Sequence, residues 1–308
     1  MRGKTVAGKR KIPFFDESEF VMRSRVCLQW SLLSVAKIRS VILCALLGIV
    51  VLLPVTARAE HEGKIQVLLM GDSTIEGSIP RITNPAGPHV ERMIELLLAA
   101  EEDLPPVHVI NTGLSGEYIQ RLVDSGRYDR EIPRLPGIDY IFIRYGLNDR
   151  GRRMDFATNF PKDFHGLAAR LRTDHPQAKI ILMSVIPYFD EAGSHEVNQL
   201  IRQVAEEEKL PFFDIYPSYA QALKEQGANS LNYRRYPVNK VPEKYQALVK
   251  PYVHGERVVV MDNELDAILG HLPGWYADRH PNLAGYNVIA VETANYLGNL
   301  LRSKQSGQ

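Results

Sequence analysis

Residues 65–77 read IQVLLMGDSTIEG and contain the transition that decides the fold. The apolar run at residues 67–70 is typical of a buried strand in a parallel sheet. It ends abruptly in a glycine, an aspartate and Ser73, so a small flexible residue and a hydroxyl side chain follow the strand directly. Because ligands bind at the carboxyl ends of the strands in open α/β sheets, we expect Ser73 at a functional edge.

Short apolar runs and amphipathic helical patterns alternate along the rest of the chain. Four further strands are predicted at residues 107–110, 140–143, 180–183 and 212–215. Apolar side chains between them recur with helical spacing, for example from Val90, Phe164 and Val197 onward. A last helix is expected over residues 284–301. This alternation predicts an α/β fold with three layers, α/β/α, and a five-stranded parallel sheet in a flavodoxin-like order.

Residues 1–59 differ from the rest of the chain and predict a signal or leader segment. Lys and Arg dominate residues 2–39, and an apolar run occupies residues 41–53. Residues 57–59 read ARA, with small residues at the two positions that a signal peptidase inspects. We therefore expect a secreted or periplasmic protein. An uncleaved leader would be a membrane anchor, and Met22 is an alternative start.

Removing this leader changes the charge and the cysteine content. Ten of the 37 basic and three of the 36 acidic residues lie in it, which leaves 27 and 33, a net charge of about −6. Such a balance argues against nucleic acid as a partner, because nucleic-acid binding needs a basic footprint. Both cysteines, Cys27 and Cys44, lie in the leader, and the histidines and carboxylates show no metal-ligand spacing. No metal or other cofactor is predicted.

Three predicted strand ends and one helix start have the residues that acyl transfer requires. Ser73 follows the first strand and Gly113 the second, while Asn148 follows the third. His280 stands just before the last helix. A serine is a weak nucleophile that needs a base, a role that suits histidine near neutral pH. A loop-glycine N–H and an asparagine amide are suitable donors to an oxyanion, so the set predicts a serine esterase.

Four sequence blocks resemble those of the SGNH (GDSL) hydrolase superfamily, in character closest to its carbohydrate acetylesterase-like branches. The blocks are GDS at residues 71–73, NTGLSG at 111–116, GLND at 146–149 and DRHPN at 278–282. They occur in the family's order, and the resemblance spans about residues 65–302. It implies that Ser73 is the nucleophile and that His280 is the general base and then the acid. It also implies an oxyanion hole made by the N–H groups of Ser73 and Gly113 and the Asn148 side chain.

One departure from the family concerns the acid that orients the histidine. The family usually has this acid three residues before the histidine, but Ala277 stands at that position here. Asp278, two residues before His280, is the predicted third member of the triad. The alternative is that a backbone carbonyl near Tyr276 or Ala277 accepts the imidazole N–H, since the acid mainly holds the tautomer and stabilises the imidazolium.

A long stretch, residues 229–272, interrupts the alternation within a predicted single domain over residues 60–308. It includes an apolar run at residues 258–261 that could form a small extra strand. One interpretation is a surface excursion, and the other is a lid over the site, because long irregular loops are often functional. As a lid it would offer flat aromatic faces to a sugar ring, from Tyr233, Tyr236, Tyr245 or Tyr252.

The predicted function is hydrolysis of a small acyl ester, with acetyl as the expected acyl group and a carbohydrate as the expected alcohol. Export, acidic charge and the tyrosine-rich stretch favour the carbohydrate. Two alternatives use the same scaffold. An O-acyltransferase would replace water by a sugar hydroxyl, and a non-catalytic glycan-binding module would bind the sugar without turnover.

Overall fold

The computed structural model describes residues 63–135 and 137–306, and the predicted leader at residues 1–59 lies outside them. The strands, β1 to β8, are Ile65–Gly71, Val107–Asn111, Tyr140–Arg144, Lys179–Met183, Phe212–Phe213, Arg234–Pro237, Val253–His254 and Arg257–Val260. The α-helices, α1 to α12, are Ser73–Glu76, Ser78–Thr83, Val90–Ala99, Ile119–Asp124, Arg127–Glu131, Leu147–Arg152, Phe156–Asp174, Glu191–Glu207, Tyr216–Gln226, Glu243–Val249, Asp266–Leu269 and Leu283–Ser306. No helix in the described ranges is long and apolar enough to cross a membrane.

Five parallel strands form the main sheet in the order β2-β1-β3-β4-β5, so the predicted flavodoxin-like α/β/α fold is confirmed. From β1 the chain moves to one side to form β2 and then returns to the other side to form β3. Such a reversal opens a crevice at the carboxyl ends of the strands, where ligands bind. Ser73 lies at this crevice because it follows β1 after a single residue.

Successive residues of β1 point into two hydrophobic cores, one on each face of the sheet. Val67 and Leu69 belong to the core that includes residues of α3 and α12. Leu68 and Met70 belong to the core that includes residues of α4, α7 and α8. Side chains alternate between faces along a strand, so a strand covered on both sides needs a continuous apolar run. This double burial explains the sequence of β1.

The last strand of the sheet, β5, is shorter than predicted. The expected strand at residues 212–215 is reduced to two residues because the chain turns directly into α9. The Ser184 hydroxyl accepts the Tyr216 N–H at 3.0 Å, and the Ile215 carbonyl accepts the Tyr219 N–H at 3.2 Å. These bonds start the helix at Tyr216, directly after the residues for which the apolar pattern suggested a strand.

Residues 229–272 contain a second, antiparallel sheet in the order β6-β8-β7, with a hydrophobic core of its own. The extra strand predicted at residues 258–261 is observed as β8. Tyr236 packs beside Trp275 in this core. The buried Arg234 guanidinium bonds to Asp266 and to backbone carbonyls, which ties the stretch together. That residues 60–308 form a single domain stays a prediction.

Candidate active site

Ser73 is the first residue of α1, and bonds from several elements hold its backbone. The Asp72 carboxylate caps the helix, because its Oδ1 accepts the Thr74 N–H at 2.9 Å. The Tyr286 hydroxyl donates to the Ser73 carbonyl at 3.1 Å, and Arg144 Nη2 donates to the Thr74 carbonyl at 2.6 Å. The turn between β1 and α1 is therefore rigidly supported, and the Ser73 side chain faces the crevice.

The structure brings Ser73, His280 and Asp278 together in that order. Ser73 Oγ lies 2.8 Å from His280 Nε2, and His280 Nδ1 lies 2.7 Å from Asp278 Oδ1. The same carboxylate oxygen accepts the backbone N–H of His280 at 3.0 Å, which makes an Asx turn. This turn explains how the short spacing still brings the acid to the ring. Of the two expected partners of Nδ1, the structure has the carboxylate and not a carbonyl of Tyr276 or Ala277.

An arginine from the inserted sheet completes the surroundings of Asp278. Arg235 Nη2 lies 2.8 Å from Asp278 Oδ2, and the acid side chain is 7% exposed. Burial alone would raise the pKa of the Asp278 carboxyl, but the bonds from His280 and the charge of Arg235 bring it below its usual value. The acid is therefore ionised at neutral pH and able to accept the imidazole N–H.

Two tyrosine rings pack against His280. The Tyr188 ring meets the imidazole edge-on at 5.2 Å between centroids, and the Tyr233 ring lies at 5.7 Å. Burial and the charge of Asp278 raise the pKa of Tyr188 to about 12, so its hydroxyl stays protonated. The Tyr233 N–H also donates to the His280 carbonyl at 3.0 Å. The start of the inserted stretch therefore holds the histidine loop from both backbone and ring.

Asn148 lies at the start of α6, where its amide faces the cavity. One amide hydrogen is used, because Nδ2 donates to the Glu117 carbonyl at 3.1 Å. The next residue, Asp149, accepts the N–H groups of Gly146 at 2.9 Å and Ile119 at 3.0 Å. Burial raises the pKa of Asp149 to about 7. The buried carboxyl fixes the loop that presents Asn148.

The structure shows another contact for the N–H of Gly113, which was predicted as an oxyanion donor. The Gly113 N–H is already bonded, to Asn111 Oδ1 at 2.9 Å, and Gly113 is not part of the cavity wall. A Cβ at Gly113 would lie 2.4 Å from the Glu76 nitrogen, so this glycine is needed for close packing. Gly116 lines the cavity with Ser73, and no acceptor within the described part of the chain bonds its N–H.

A cavity of about 310 Å³ opens above these groups. Hydroxyl groups dominate its wall, from Ser73, Ser78, Ser115, Tyr188, Tyr233 and Tyr286. Among the described residues that line it, Ile79 has the one aliphatic side chain, and Arg152 and Arg235 supply positive charge. The described residues contain no group of three His, Cys, Asp or Glu side chains that could hold a metal ion.

Sequence reasoning found only part of this wall. Of the four tyrosines proposed to face a sugar, Tyr233 lines the cavity, whereas the other three pack in the core of the second sheet. Arg152, Arg235 and Tyr188 were missed. A usable signal existed for Arg235. It stands two residues after Tyr233, and side chains two residues apart in an extended segment lie on the same face.

A comparison with known families identifies the chain. The model of the GDSL-like Lipase/Acylhydrolase family matches residues 69–235, more than half of the chain. This protein is a GDSL-like hydrolase. The resemblance to the SGNH (GDSL) superfamily is thereby confirmed, as is the predicted class of activity, hydrolysis of an ester bond. The match includes Ser73 and Asn148, and it ends before Asp278 and His280.

The solved structure of Axe2 shares the fold of this GDSL-like hydrolase. Axe2, an acetylxylan esterase from Geobacillus stearothermophilus, is 19% identical with a TM-score of 0.50, and the alignment covers 77% of this chain and 95% of that chain. LAE5, an α/β hydrolase enzyme from the metagenome of Lake Arreo, Spain, is 20% identical with a TM-score of 0.49 over 76% and 95% of the two chains. No curated protein matches the sequence significantly.

Proposed function

We propose that this GDSL-like hydrolase is a serine esterase that removes a small acyl group, acetyl in the first instance, from a carbohydrate. The observation that supports it most strongly is the distance of 2.8 Å between Ser73 Oγ and His280 Nε2, with Asp278 Oδ1 at the opposite ring nitrogen. In this arrangement a histidine can take the hydroxyl proton while an acid holds the correct tautomer.

In the first half of the reaction, Ser73 Oγ attacks the ester carbonyl carbon and His280 Nε2 takes the hydroxyl proton. The carbonyl oxygen becomes an oxyanion, for which the available donors are the N–H groups of Ser73 and Gly116 and the second amide hydrogen of Asn148. Each such donor is worth roughly 3 kcal/mol of the barrier. His280 then gives its proton to the alcohol oxygen as the carbon–oxygen bond breaks, which leaves the acyl group on Ser73.

In the second half, water replaces the alcohol. His280 accepts a proton from the water as its oxygen attacks the acyl carbon, and the same oxyanion donors stabilise the second tetrahedral intermediate. The bond to Ser73 Oγ then breaks, and the proton on His280 returns to the serine. Asp278 accepts a hydrogen bond from the Nδ1–H group throughout, without taking the proton, and stabilises the imidazolium in both halves.

The cavity supports a short acyl group on a hydroxylated alcohol. A volume of about 310 Å³ with one aliphatic side chain among the described lining residues offers little surface for a long acyl chain. Hydroxyl groups of the wall other than the nucleophile, such as those of Ser78, Ser115 and Tyr188, can exchange hydrogen bonds with a sugar. Axe2 is named as an acetylxylan esterase, which makes acetylated xylo-oligosaccharides the first carbohydrate substrates to test.

The proposal is tested with p-nitrophenyl acetate, butyrate and octanoate, followed by acetylated xylo-oligosaccharides. We expect turnover that declines with acyl length and that Ser73→Ala and His280→Ala nearly abolish without lowering the melting temperature. Ser303→Ala is the matched control, because this exposed serine donates to the Asn299 carbonyl on the last helix and does not line the cavity. Absence of Ser73-dependent turnover on every substrate would contradict the proposal.

Two other outcomes would redirect the assignment. Product that forms only when a sugar acceptor is added would indicate an O-acyltransferase that uses the same residues. Sugar binding without turnover would indicate a non-catalytic glycan-binding module.

We also propose that the protein acts outside the cytoplasm, on the strength of the leader-like composition of residues 1–59. Mass spectrometry of the exported protein should then find an N terminus near residue 60. An intact leader recovered with the membrane fraction would indicate an anchor instead.

A further inference from the structure

We propose that the substrate has a negative charge on its alcohol part, as a carboxylate or a phosphate, and that Arg152 and Arg235 bind this charge. The inference rests on the proposed esterase function of the same cavity. Both arginines line the cavity that contains Ser73 and His280. A planar guanidinium matches the geometry of carboxylate and phosphate groups, with which it forms paired hydrogen bonds.

Arg152 differs from the arginines next to it in the chain. Arg150 pairs with Glu196 at 2.9 Å, and Arg153 pairs with Asp163 at 2.6 Å. The exposed Arg152 donates instead to the Gly116 carbonyl at 2.5 Å and lies over the Tyr118 ring. Within the described ranges no carboxylate forms an ion pair with it. Of these three arginines, the one in the cavity is therefore the one whose charge has no acidic partner.

Arg235 brings a second guanidinium from the opposite side, next to Asp278. Its side chain is 45% exposed, and one nitrogen is committed to the Asp278 carboxylate at 2.8 Å. A guanidinium has five N–H donors, so this pair leaves others for a ligand. One cation therefore lies on the Gly116 side of the reacting serine and the other on the Asp278 side.

The acidic groups next to the cavity leave the charge of Arg152 without a partner. No aspartate or glutamate is among the described residues that line the cavity. Asp278 pairs with Arg235, and Glu76, which accepts the Ser115 N–H at 2.7 Å, keeps its charge outside the cavity wall. Within the described ranges Arg152 is therefore the cation of the wall that forms no ion pair, although the chain without its leader has a net charge of about −6. A guanidinium without an acidic partner in a cleft favours anionic ligands.

The alternative role for Arg152 is to hold the loop at Gly116, whose N–H is a proposed oxyanion donor. Arg121 also donates to the Gly116 carbonyl, at 3.3 Å, and so contributes to the same support. The two roles differ in their consequences. Loss of a support for Gly116 lowers turnover of every ester by a similar factor, because all of them pass through the same oxyanion. Loss of a ligand-binding charge lowers turnover of anionic esters selectively.

The test uses three acetyl esters that differ mainly in charge: 4-acetoxybenzamide, 4-acetoxybenzoate and 4-acetoxyphenyl phosphate. The measured quantity is the ratio of kcat/KM for each anionic ester to that for the neutral one. We expect a ratio above one in the native protein that decreases as NaCl is raised. A charge-assisted bond contributes enough that Arg152→Gln should lower the ratio by about ten-fold or more.

Two further variants sharpen the result. Arg152→Lys keeps the charge and should restore part of the ratio. Arg150→Gln removes the same charge from the same helix outside the cavity, and it should leave the ratio unchanged. The anionic ester with the larger kcat/KM ratio indicates whether the protein prefers a carboxylate or a phosphate.

A ratio at or below one in the native protein would overturn the inference, as would an equal loss on all three esters in Arg152→Gln. Ser73-dependent hydrolysis of the neutral ester would leave the proposed esterase function standing in either case. Absence of Ser73-dependent turnover on all three esters would contradict that function, and this inference with it.

Discussion

Arg235 Nη2 lies 2.8 Å from Asp278 Oδ2, so the inserted sheet and the loop before the last helix share an ion pair. Asp278 uses its other oxygen for His280, at the backbone N–H and at Nδ1. One carboxylate therefore joins the insertion, the turn and the imidazole. The insertion contributes no strand to the main sheet, yet it supports the histidine on which the proposed chemistry depends.

Replacing this carboxylate by an amide should slow the reaction without unfolding the protein. In Asp278→Asn the side-chain oxygen can still accept the His280 N–H, but the charge that stabilises the imidazolium is lost. We expect kcat to fall about 10²- to 10³-fold, which is less than in Ser73→Ala or His280→Ala. Steady-state kinetics together with a thermal melt would measure this. An unchanged kcat/KM would remove Asp278 from the mechanism.

Asn148→Ala should act on the transition state and not on substrate binding. Removing one oxyanion donor typically lowers kcat by about 10²- to 10³-fold, and KM should stay within a few-fold. Asn159→Ala is a suitable control, because Asn159 donates to the Met154 carbonyl on the surface, away from the cavity. A higher KM with unchanged kcat would assign the Asn148 amide to ground-state binding instead.

Gly113→Ala should reduce stability because of packing. The new Cβ would meet the Glu76 nitrogen at 2.4 Å and Ile75 Cγ2 at 2.8 Å, so the backbone must shift. Overpacking of this kind destabilises by about 1–3 kcal/mol, measurable by urea unfolding. Gly166→Ala, an exposed helix position with no atom within 4 Å of the new Cβ, should instead stabilise by up to about 1 kcal/mol. Equal effects at both positions would contradict the packing role of Gly113.

Asp149 should make stability depend on pH. Burial raises its pKa from 3.8 to about 7, so the folded state holds a proton between about pH 4 and 7 that the unfolded state has lost. Stability attributable to this group therefore falls as the pH rises through that window. Relative to Asp149→Asn, the free energy of unfolding of the native protein should fall by a few kcal/mol between pH 4 and 7.5. A difference between the two proteins that does not vary with pH would exclude this linkage.

The alternation of short apolar runs with amphipathic helices was enough to predict the main sheet, and four of its five strands end within one residue of the prediction. Such patterns can be recognised in the sequence because the periodicity of a helix or strand decides which of its side chains are buried. The strand predicted at residues 212–215 is shorter than expected because the Ser184 hydroxyl starts a helix at Tyr216, and this contact comes from the end of a different strand.

Local patterns were enough to predict the fold class, the order of the four blocks, and Ser73 and His280 as the residues to bring together, because short motifs and periodicity are local properties. The folded arrangement was needed to show that Gly116 and not Gly113 lines the cavity, since the Asn111 side chain accepts the N–H of Gly113. It also decided that Arg235 reaches Asp278. Contacts between residues far apart in the chain follow from the packing of the loops, which no local pattern encodes.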